Sequence, residues 1–196
     1  MREVAKSCLR LLALVAVSPL LLSYWFWSLA LGRDRALEGS SQTLSLVPGL
    51  VGVYMRRAFL MRVLAGCHKT ATVEFGTLFS QTGARLDENV YVGPRCHLGL
   101  VHIERDALIG PCVHIPSGAR THGTGDPTRV IREQERSRTV VRIGAGAWIG
   151  SAAVVMADVG ANTVVGAGAV VTKPLPADVV AAGVPARVIR ERKTKV

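Results

Sequence analysis

The stretch IGAGAWIGSAAVVMADVGANTVVGAGAVVTKP, from Ile143 to Pro174, decides the fold of this chain. Most of it divides into units of six residues, each opened by an aliphatic residue that glycine usually follows, with a small residue in fifth place. The openers are Ile143, Ile149, Val159, Val165 and Val171, and the fifth residues are Ala147, Ala153, Thr163 and Ala169. A period of six is neither a helical period nor simple strand alternation, and it is typical of a parallel β-helix.

Each unit of six predicts one short strand and one corner of a prism. The opener and the small fifth residue point inward, where they pack on their equivalents in the coils above and below. Glycine suits a corner at which a Cβ atom would be crowded. The unit between Val155 and Val159 is shorter than the others, so we expect that coil to cut a corner.

The same repeat is predicted upstream, loosely at Val73 and Phe79 and regularly from Leu86 onward. Cys96 takes one of the small inward positions in this part. The pattern stops after Arg120, where polar and charged residues take over, and it resumes in register at Ile143. A loop of this length is usually functional or disordered. We therefore expect residues 121–141 to project from one corner of the prism.

An uncharged apolar run, residues 11–31, lies near the N-terminus. It exceeds the ~20 residues that a transmembrane helix needs, and Tyr24, Trp25 and Trp27 are of the kind found at membrane interfaces. A cleaved signal peptide is the alternative, although the run is longer than the usual core of such peptides. Basic residues flank both ends, and a break at Pro19 would let the segment re-enter with both ends in the cytoplasm.

A second apolar stretch, residues 44–65, is interrupted by Arg56, Arg57 and Arg62. Two interpretations stay open from the sequence. One is a basic amphipathic helix on a membrane surface. The other is a cap packed over the first coil of the β-helix, whose end needs covering.

These patterns predict a mainly β protein in three parts. Residues 1–70 form a membrane-associated helical region, residues 71–178 form the β-helix, and residues 179–196 form a basic terminal segment with a short helix. A mean hydropathy of +0.31 fits a membrane segment. The net charge of +10 favours a polyanionic partner such as anionic lipid or a phosphorylated cofactor. No nucleic-acid-binding motif is present, so nucleic acid is not predicted as a partner.

His122 opens the interrupting loop and is the candidate for chemistry. A neutral imidazole is the usual general base near pH 7 and could take a proton from an alcohol, so that the oxygen attacks a thioester. Asp126, Glu133 and Glu135 lie in the same loop. Any one of these carboxylates could orient the ring and stabilise its charged form.

Two segments, THGTGDP at residues 121–127 and IGAGAWIG at residues 143–150, resemble the maltose, galactoside and xenobiotic O-acetyltransferases. This likeness to a hexapeptide-repeat family covers roughly residues 73–190. It implies a left-handed β-helix, whereas most parallel crossovers are right-handed. It also implies a homotrimer with His122 as catalytic base and a loop glutamate as its supporting carboxylate. We assign that role to Glu135 from its distance to the IGAGAWIG unit.

The resemblance further implies that acetyl-CoA is the co-substrate and lies in the groove between neighbouring prisms. It implies that Trp148 lies beside the active site and that the backbone near Ser151 and Ala169 holds the pantetheine arm. It also implies that Lys173, Arg187 and Arg190 bind the phosphates, with which Lys and Arg pair well.

The sequence and its resemblance together predict an acyl-CoA-dependent O-acyltransferase that acetylates a sugar hydroxyl of a membrane-linked glycan or polysaccharide precursor. The catalytic domain is expected in the cytoplasm. The alternatives are an N-acetyltransferase on an amino sugar, a serine-type acetyltransferase, a non-catalytic scaffold and a γ-class carbonic anhydrase. For the last, His97 and His102 have a suggestive spacing but occupy other positions in the hexapeptide than that family's zinc ligands, so no metal is expected.

Overall fold

The computed structural model describes the backbone of residues 2–192 and the side chains of residues 7–192. Three helices come first: α1 (Arg2–Leu31), α2 (Arg33–Ser45) and α3 (Gly49–Val63). Within the described chain, α1 is the one helix long and apolar enough to cross a membrane, over Ser7–Leu31.

Short strands make up most of the remaining chain. In order they are β1 (Gly66–Cys67), β2 (Thr72–Val73), β3 (Leu78–Phe79), β4 (Arg85–Leu86), β5 (Tyr91–Val92), β6 (His97–Leu98), β7 (Val101–Ile103), β8 (Leu108–Ile109), β9 (His114–Ile115), β10 (Val141–Ile143), β11 (Trp148–Ile149), β12 (Val154–Val155), β13 (Val164–Val165), β14 (Val170–Val171), β15 (Val179–Ala182) and β16 (Arg187–Glu191). A single 3-10 turn, Ile131–Glu133, interrupts them between β9 and β10.

Strands β1 to β15 form the three parallel sides of a prism. The first side contains β1, β4, β7 and β10, the second β2, β5, β8, β11, β13 and β15, and the third β3, β6, β9, β12 and β14. Single bridges from Ile143 to Val159 and from Val159 to Leu175 extend the first side. The short unit before Val159 therefore reduces that side of its coil to one residue, as the sequence predicts.

The inward ladder of the second side shows how the hexapeptide builds the core. Val92 pairs with Ile109, Ile109 with Ile149, and Ile149 with Val165, each in parallel register. The first three of these side chains have no exposed surface. Burial of each such aliphatic side chain contributes roughly 1.5–3 kcal/mol, so the stack is held mainly by this column and its equivalents on the other two sides.

Close approach of successive coils explains the glycine after each opener. A Cβ atom on Gly144, Gly150 or Gly160 would lie 2.4, 2.5 or 2.3 Å from a backbone nitrogen of the following coil. None of the three has a positive φ. The requirement for glycine at these corners is therefore steric, not conformational.

The stretch 44–65 is a cap over the first coil, and its membrane-surface interpretation is wrong for Arg56 and Arg57. Arg56 is buried and donates to the carbonyls of Val73, of Leu44 in the last turn of α2 and of Val47 in the α2–α3 connection. Arg57 donates to the carbonyl of Ala71. Both guanidinium groups thus satisfy backbone acceptors inside the protein and do not face outward toward lipid.

The predicted break at Pro19 is also wrong, because α1 runs through this residue without interruption. Proline removes the N–H group that would bond the carbonyl of Val15. The hydroxyl of Ser18 donates to that carbonyl instead, at 2.8 Å. The orphaned acceptor is satisfied locally, and the helix continues.

The short helix predicted at the C-terminus is a strand. Strand β16 pairs antiparallel with β15, with Val179 opposite Glu191 and Ala182 opposite Arg187. The last coil of a β-helix leaves an open strand edge, and edges are usually covered. Pairing across that edge satisfies backbone groups on β15 that a helix would have left unpaired.

Candidate active site

The loop after β9 folds over the third side of the prism and, together with α2, borders a polar cleft of about 340 Å³. Helix α2, the turn after β3, strands β6 and β9 and the loop all contribute to its walls. The lining residues include Glu38, Ser80, Gln81, His97, His114, Ser117, Thr121, His122, Arg136 and Arg138. The structure therefore puts His122 in a concave site built from distant parts of the chain.

Two adjacent imidazoles, those of His97 and His114, line this cleft together with His122. His97 and His114 occupy matching positions on the adjacent strands β6 and β9. Their ring centroids are 5.0 Å apart, in an edge-to-face arrangement. Burial and the neighbouring His97 both lower the pKa of His114, so this ring is neutral at neutral pH.

The carboxylate that lines the cleft with His122 comes from α2. Glu38 contributes to the wall, whereas Glu135 is exposed and is not among the lining residues. The backbone of Glu135 lies against Gly123, the neighbour of His122, where an added Cβ would be 2.9 Å from the Glu135 carbonyl oxygen. Glu38 is missed from the sequence because the polar stretch 32–42 predicts a turn, whereas it lies in helix α2.

The loop is organised by Gln134, a second residue that sequence reasoning missed. Its amide nitrogen donates to the carbonyls of Asp126 at 2.8 Å and Arg129 at 3.0 Å, and its amide oxygen accepts from the Asp126 N–H at 3.1 Å. The Asp126 carboxylate accepts from the backbone and hydroxyl of Thr128, which lowers the pKa of that carboxyl. Asp126 therefore shapes the loop by forming its turn.

Arg138 ties the loop to the rest of the cleft. It donates to the Gln81 side-chain oxygen at 3.2 Å and lies 3.9 Å from an Asp34 carboxylate oxygen. The other oxygen of Asp34 accepts from the backbone and hydroxyl of Thr82. Because the Arg138–Asp34 pair is about half exposed, it holds the loop in position but contributes little to the free energy of unfolding.

The residues implied for the cofactor lie on the other side of the loop, along the later coils. Trp148 points outward from the second side and is 52% exposed. Ser151 and Ala169 occupy the same corner of adjacent coils, where the Gly168 N–H donates to the Ser151 carbonyl at 2.8 Å. Lys173 is exposed after β14.

Arg187 and Arg190 are exposed on β16. Each guanidinium donates to the carbonyl of a residue adjacent in sequence, Ala186 or Glu191. None of the six implied cofactor residues lines the cleft around His122 in the described chain. The chain thus separates a histidine-lined cleft from a row of cofactor candidates.

The histidines whose spacing suggested zinc lie on different sides of the prism. His97 is on the third side, whereas His102 is on the first and lies 3.0 Å from an Asp87 carboxylate oxygen. Within residues 7–192, no group of three or more His, Cys, Asp or Glu side chains is arranged to hold a metal ion.

Comparison with known proteins shows that the chain is similar to O-acetyltransferases. It is 32% identical to the galactoside O-acetyltransferase of Escherichia coli K12 over 164 residues, covering 73% of this chain and 81% of the relative. It is 30% identical to the putative lipopolysaccharide biosynthesis O-acetyl transferase WbbJ of the same strain over 165 residues, covering 72% of this chain and 83% of the relative. No family model matches the chain.

Solved structures agree on the fold. A maltose O-acetyltransferase from Clostridium difficile 630 superposes with a TM-score of 0.69 at 22% identity, over 82% of this chain and 89% of that one. A galactoside acetyltransferase in complex with coenzyme A superposes with a TM-score of 0.64 at 27% identity, over 82% of each chain.

A left-handed parallel β-helix of about six coils, interrupted by a histidine-bearing loop, defines a hexapeptide-repeat acyltransferase. The chain belongs to the galactoside O-acetyltransferase family. It is an acetyl-CoA-dependent O-acetyltransferase. The fold class and enzyme class predicted from the sequence are thereby confirmed.

Proposed function

We propose that this enzyme acetylates a sugar hydroxyl of a membrane-linked glycan, with His122 as the general base. The proposal rests on one observation. Helix α2 forms part of the polar cleft that the His122 imidazole lines, and the same helix packs directly on the apolar helix α1. The likeness to a galactoside enzyme and to a putative lipopolysaccharide enzyme supports a saccharide as the acceptor.

In this mechanism, His122 takes the proton of the acceptor hydroxyl while the oxygen attacks the thioester carbonyl carbon of acetyl-CoA. The C–S bond breaks, an oxygen ester forms, and the departing CoA thiolate takes the proton back from the imidazolium. The neutral His114 ring adds no positive charge to a cleft that Arg136 and Arg138 already line. Glu38 and Glu135 are the two candidates for the carboxylate that supports the imidazolium.

Acetyl-CoA is proposed to lie along the later coils. Ser151 and Ala169 lie at one corner of adjacent coils and are proposed to border the pantetheine arm, and Trp148 presents an exposed aromatic surface beside it. Arg187 and Arg190, with Lys173, are exposed cations suited to the phosphates. None of these residues lies in the His122 cleft, so the donor would reach that cleft from a neighbouring prism or around the loop.

A homotrimer would bring the two halves of the site together, and the second side of the prism is the surface that favours one. Its outward row includes Tyr91, Leu108 and Trp148, which are 37%, 43% and 52% exposed in the single chain. The outward row of the first side is polar, with Arg85, His102 and Arg142 in register. Apolar rows of this kind are usually covered by another protein surface.

We expect Leu108→Arg to convert the trimer to single chains, because it puts a charge in the middle of the apolar row. Light scattering from detergent-purified protein measures the number of chains. His102→Arg is the matched control, since it adds a cation at the outward position of the same coil on the polar first side. An unchanged trimer in Leu108→Arg would exclude the second side as the interface.

The acceptor proposal predicts which substrates the enzyme prefers. Membrane-bound enzyme should release CoA thiol faster with a lipid-linked oligosaccharide than with the same oligosaccharide free in solution, because the shared membrane raises the effective concentration. Thiol release with acetyl-CoA and each acceptor measures this directly. Equal rates with both acceptors at equal bulk concentration would contradict the membrane-linked acceptor but not the O-acetyltransferase reaction. We propose that the catalytic domain lies in the cytoplasm, because acetyl-CoA is available there.

A further inference from the structure

Helix α1 is docked on the protein along its apolar length. Ala13, Val17, Leu21 and Tyr24 are buried, at the spacing of one helical stripe. The Tyr24 ring packs edge-on against Phe59 of α3, with centroids 5.8 Å apart. The helix is therefore held by tertiary contacts and does not project freely from the chain.

Both halves of α1 have partners. Toward its N-terminal end, Leu12 and Ala16 border a groove shared with Leu50 and Val51 of α3. Toward its C-terminal end, Trp27 borders a groove shared with α2. The contacts extend over the stretch that would otherwise be the membrane span.

The opposite face of α1 is apolar and uncovered. Leu11, Val15, Leu22, Phe26 and Leu29 are between 62% and 89% exposed. At 3.6 residues per turn they lie within one narrow arc, on the side of the helix away from the buried stripe. Over residues 7–31 this outer face is continuous and contains no charged side chain.

The partners of α1 cannot follow it through a bilayer. The Asp34 carboxylate on α2 accepts from Thr82, the Ser41 hydroxyl on α2 accepts from the Phe79 N–H, and Arg57 of α3 donates to Ala71. Helices α2 and α3 are thus part of the prism. If α1 crossed the membrane while docked, charged residues of α2 would enter the hydrocarbon, which is costly.

Charge indicates what covers the outer face. Arg33 and Arg35 are exposed where α1 meets α2, and Arg33 lies over the Trp25 ring, 6.0 Å from its centroid. Cations and tryptophan beside an apolar helical face suit an interface with anionic lipid. The net charge of +10 adds to the same attraction.

We propose that α1 lies flat in one leaflet of an anionic membrane, with its outer face in the acyl chains and both of its ends on the side of the catalytic domain. This rests on the membrane association proposed above and specifies its geometry. An in-plane helix needs no break at Pro19 and no undocking from α2 and α3.

The geometry also specifies the acceptor. Helix α2 separates α1 from the cleft, since Gly39 borders the α1 groove while Glu38 lines the cleft. A helix with its side chains is about 10–12 Å across, so the reacting hydroxyl lies roughly two helix diameters or less from the lipid surface. The acetylated sugar is therefore among the membrane-proximal units of a lipid-linked glycan.

Two cysteines test the topology in the full-length enzyme. Cys112 is exposed on the prism. Cys8 lies one turn before Leu11 on the outer face, so the second probe is Ser7→Cys in a Cys8→Ser background, at an exposed position outside that arc. Burial raises the pKa of the Cys67 thiol to about 12 and of the Cys96 thiol to about 11, so these two react slowly with a maleimide. Cys8→Ser alone and Cys112→Ser in the probe background assign the signal to each position.

A membrane-impermeant maleimide is added to sealed inverted vesicles and to intact spheroplasts of the expression host. We expect the cysteine introduced at position 7 and Cys112 to be labelled together in the inverted vesicles and protected together in the spheroplasts. Labelling from opposite sides would show that α1 spans the membrane and would overturn the proposal. The readout does not depend on activity, so failure of the proposed acceptor chemistry would be seen separately in the thiol-release assay.

Vesicle flotation tests the outer face. The double variant Leu22→Glu with Phe26→Glu should lower binding to phosphatidylglycerol-containing vesicles at least about tenfold, because two charges enter the lipid-facing arc. Val184→Glu with Ile189→Glu, which adds two charges at apolar positions of similar exposure (74% and 64% against 72% and 66%), is the matched control and should bind as wild type. If the double variant still binds vesicles, the proposal is overturned. If it keeps vesicle binding but loses its oligomeric state, the face is assigned to another copy of the chain.

Discussion

Replacement of His122 by alanine is expected to lower acetyl transfer at least about 10²-fold, the usual contribution of a general base. The ring lines the cleft on an exposed loop and has no role in the hexapeptide core. The substitution should therefore leave the fold and the oligomer intact. Acceptor-dependent release of CoA thiol is the measurement, made at saturating acetyl-CoA.

The control for this prediction is another histidine. His102→Ala makes the same change on the first side of the prism, away from the cleft, and should retain near-wild-type turnover. A rate for His122→Ala within about threefold of wild type would refute the role of this residue as base. The enzyme class would stand in that case, and the search for the base would move to His97 and His114.

The supporting carboxylate is decided by a pair of matched variants in the same assay. Glu38→Gln and Glu135→Gln each remove one charge with little change of shape. The variant that removes the working partner should lose about tenfold or more in kcat/KM, the value of a hydrogen bond to a charged group. Loss in Glu38→Gln would favour the cleft carboxylate, and loss in Glu135→Gln alone would uphold the assignment made from the sequence.

The prism could be predicted because its information is local and repeated. Inward residues such as Ile109 and Ile149 are each followed six residues later by the next inward residue, so the period alone identifies the core. The same regularity made the projecting loop visible as an interruption before Ile143. Nothing in that reasoning required knowledge of how distant segments pack.

The errors occurred where packing decides between two local patterns. Arg56 and Arg57 between apolar residues are compatible with a lipid surface or with buried carbonyl acceptors, and the first coil supplies those acceptors. The segment Arg187–Glu191 is compatible with a helix or a strand, and the open edge of β15 selects the strand. Glu38 could not be predicted as a cleft residue from the sequence, because His122, which lines the same cleft, is far away along the chain.

Gly150→Ala should destabilise the prism by about 3 kcal/mol, at the upper end of the cost of overpacking a core. The new Cβ would lie 2.5 Å from the Ala167 nitrogen and 2.7 Å from the Val165 carbonyl oxygen. Both are backbone atoms of a paired coil and cannot rotate away. For a chain of this size the change corresponds to a fall in Tm of roughly 6–12 °C, which calorimetry of the detergent-purified enzyme measures.

Gly39→Ala is the matched control, since the same methyl group is added in helix α2 with no atom within 4 Å. It should be neutral or should raise stability by up to about 1 kcal/mol, because alanine is the better helix former. A loss of stability in Gly150→Ala without a loss in Gly39→Ala would establish that coil spacing, and not chain flexibility, requires glycine after the opener Ile149. Strands in a ladder are separated by about 4.8 Å, and a corner residue with a Cβ would have to widen that separation. A Gly150→Ala enzyme with wild-type Tm would mean that the corner can open without disturbing the ladder on either side.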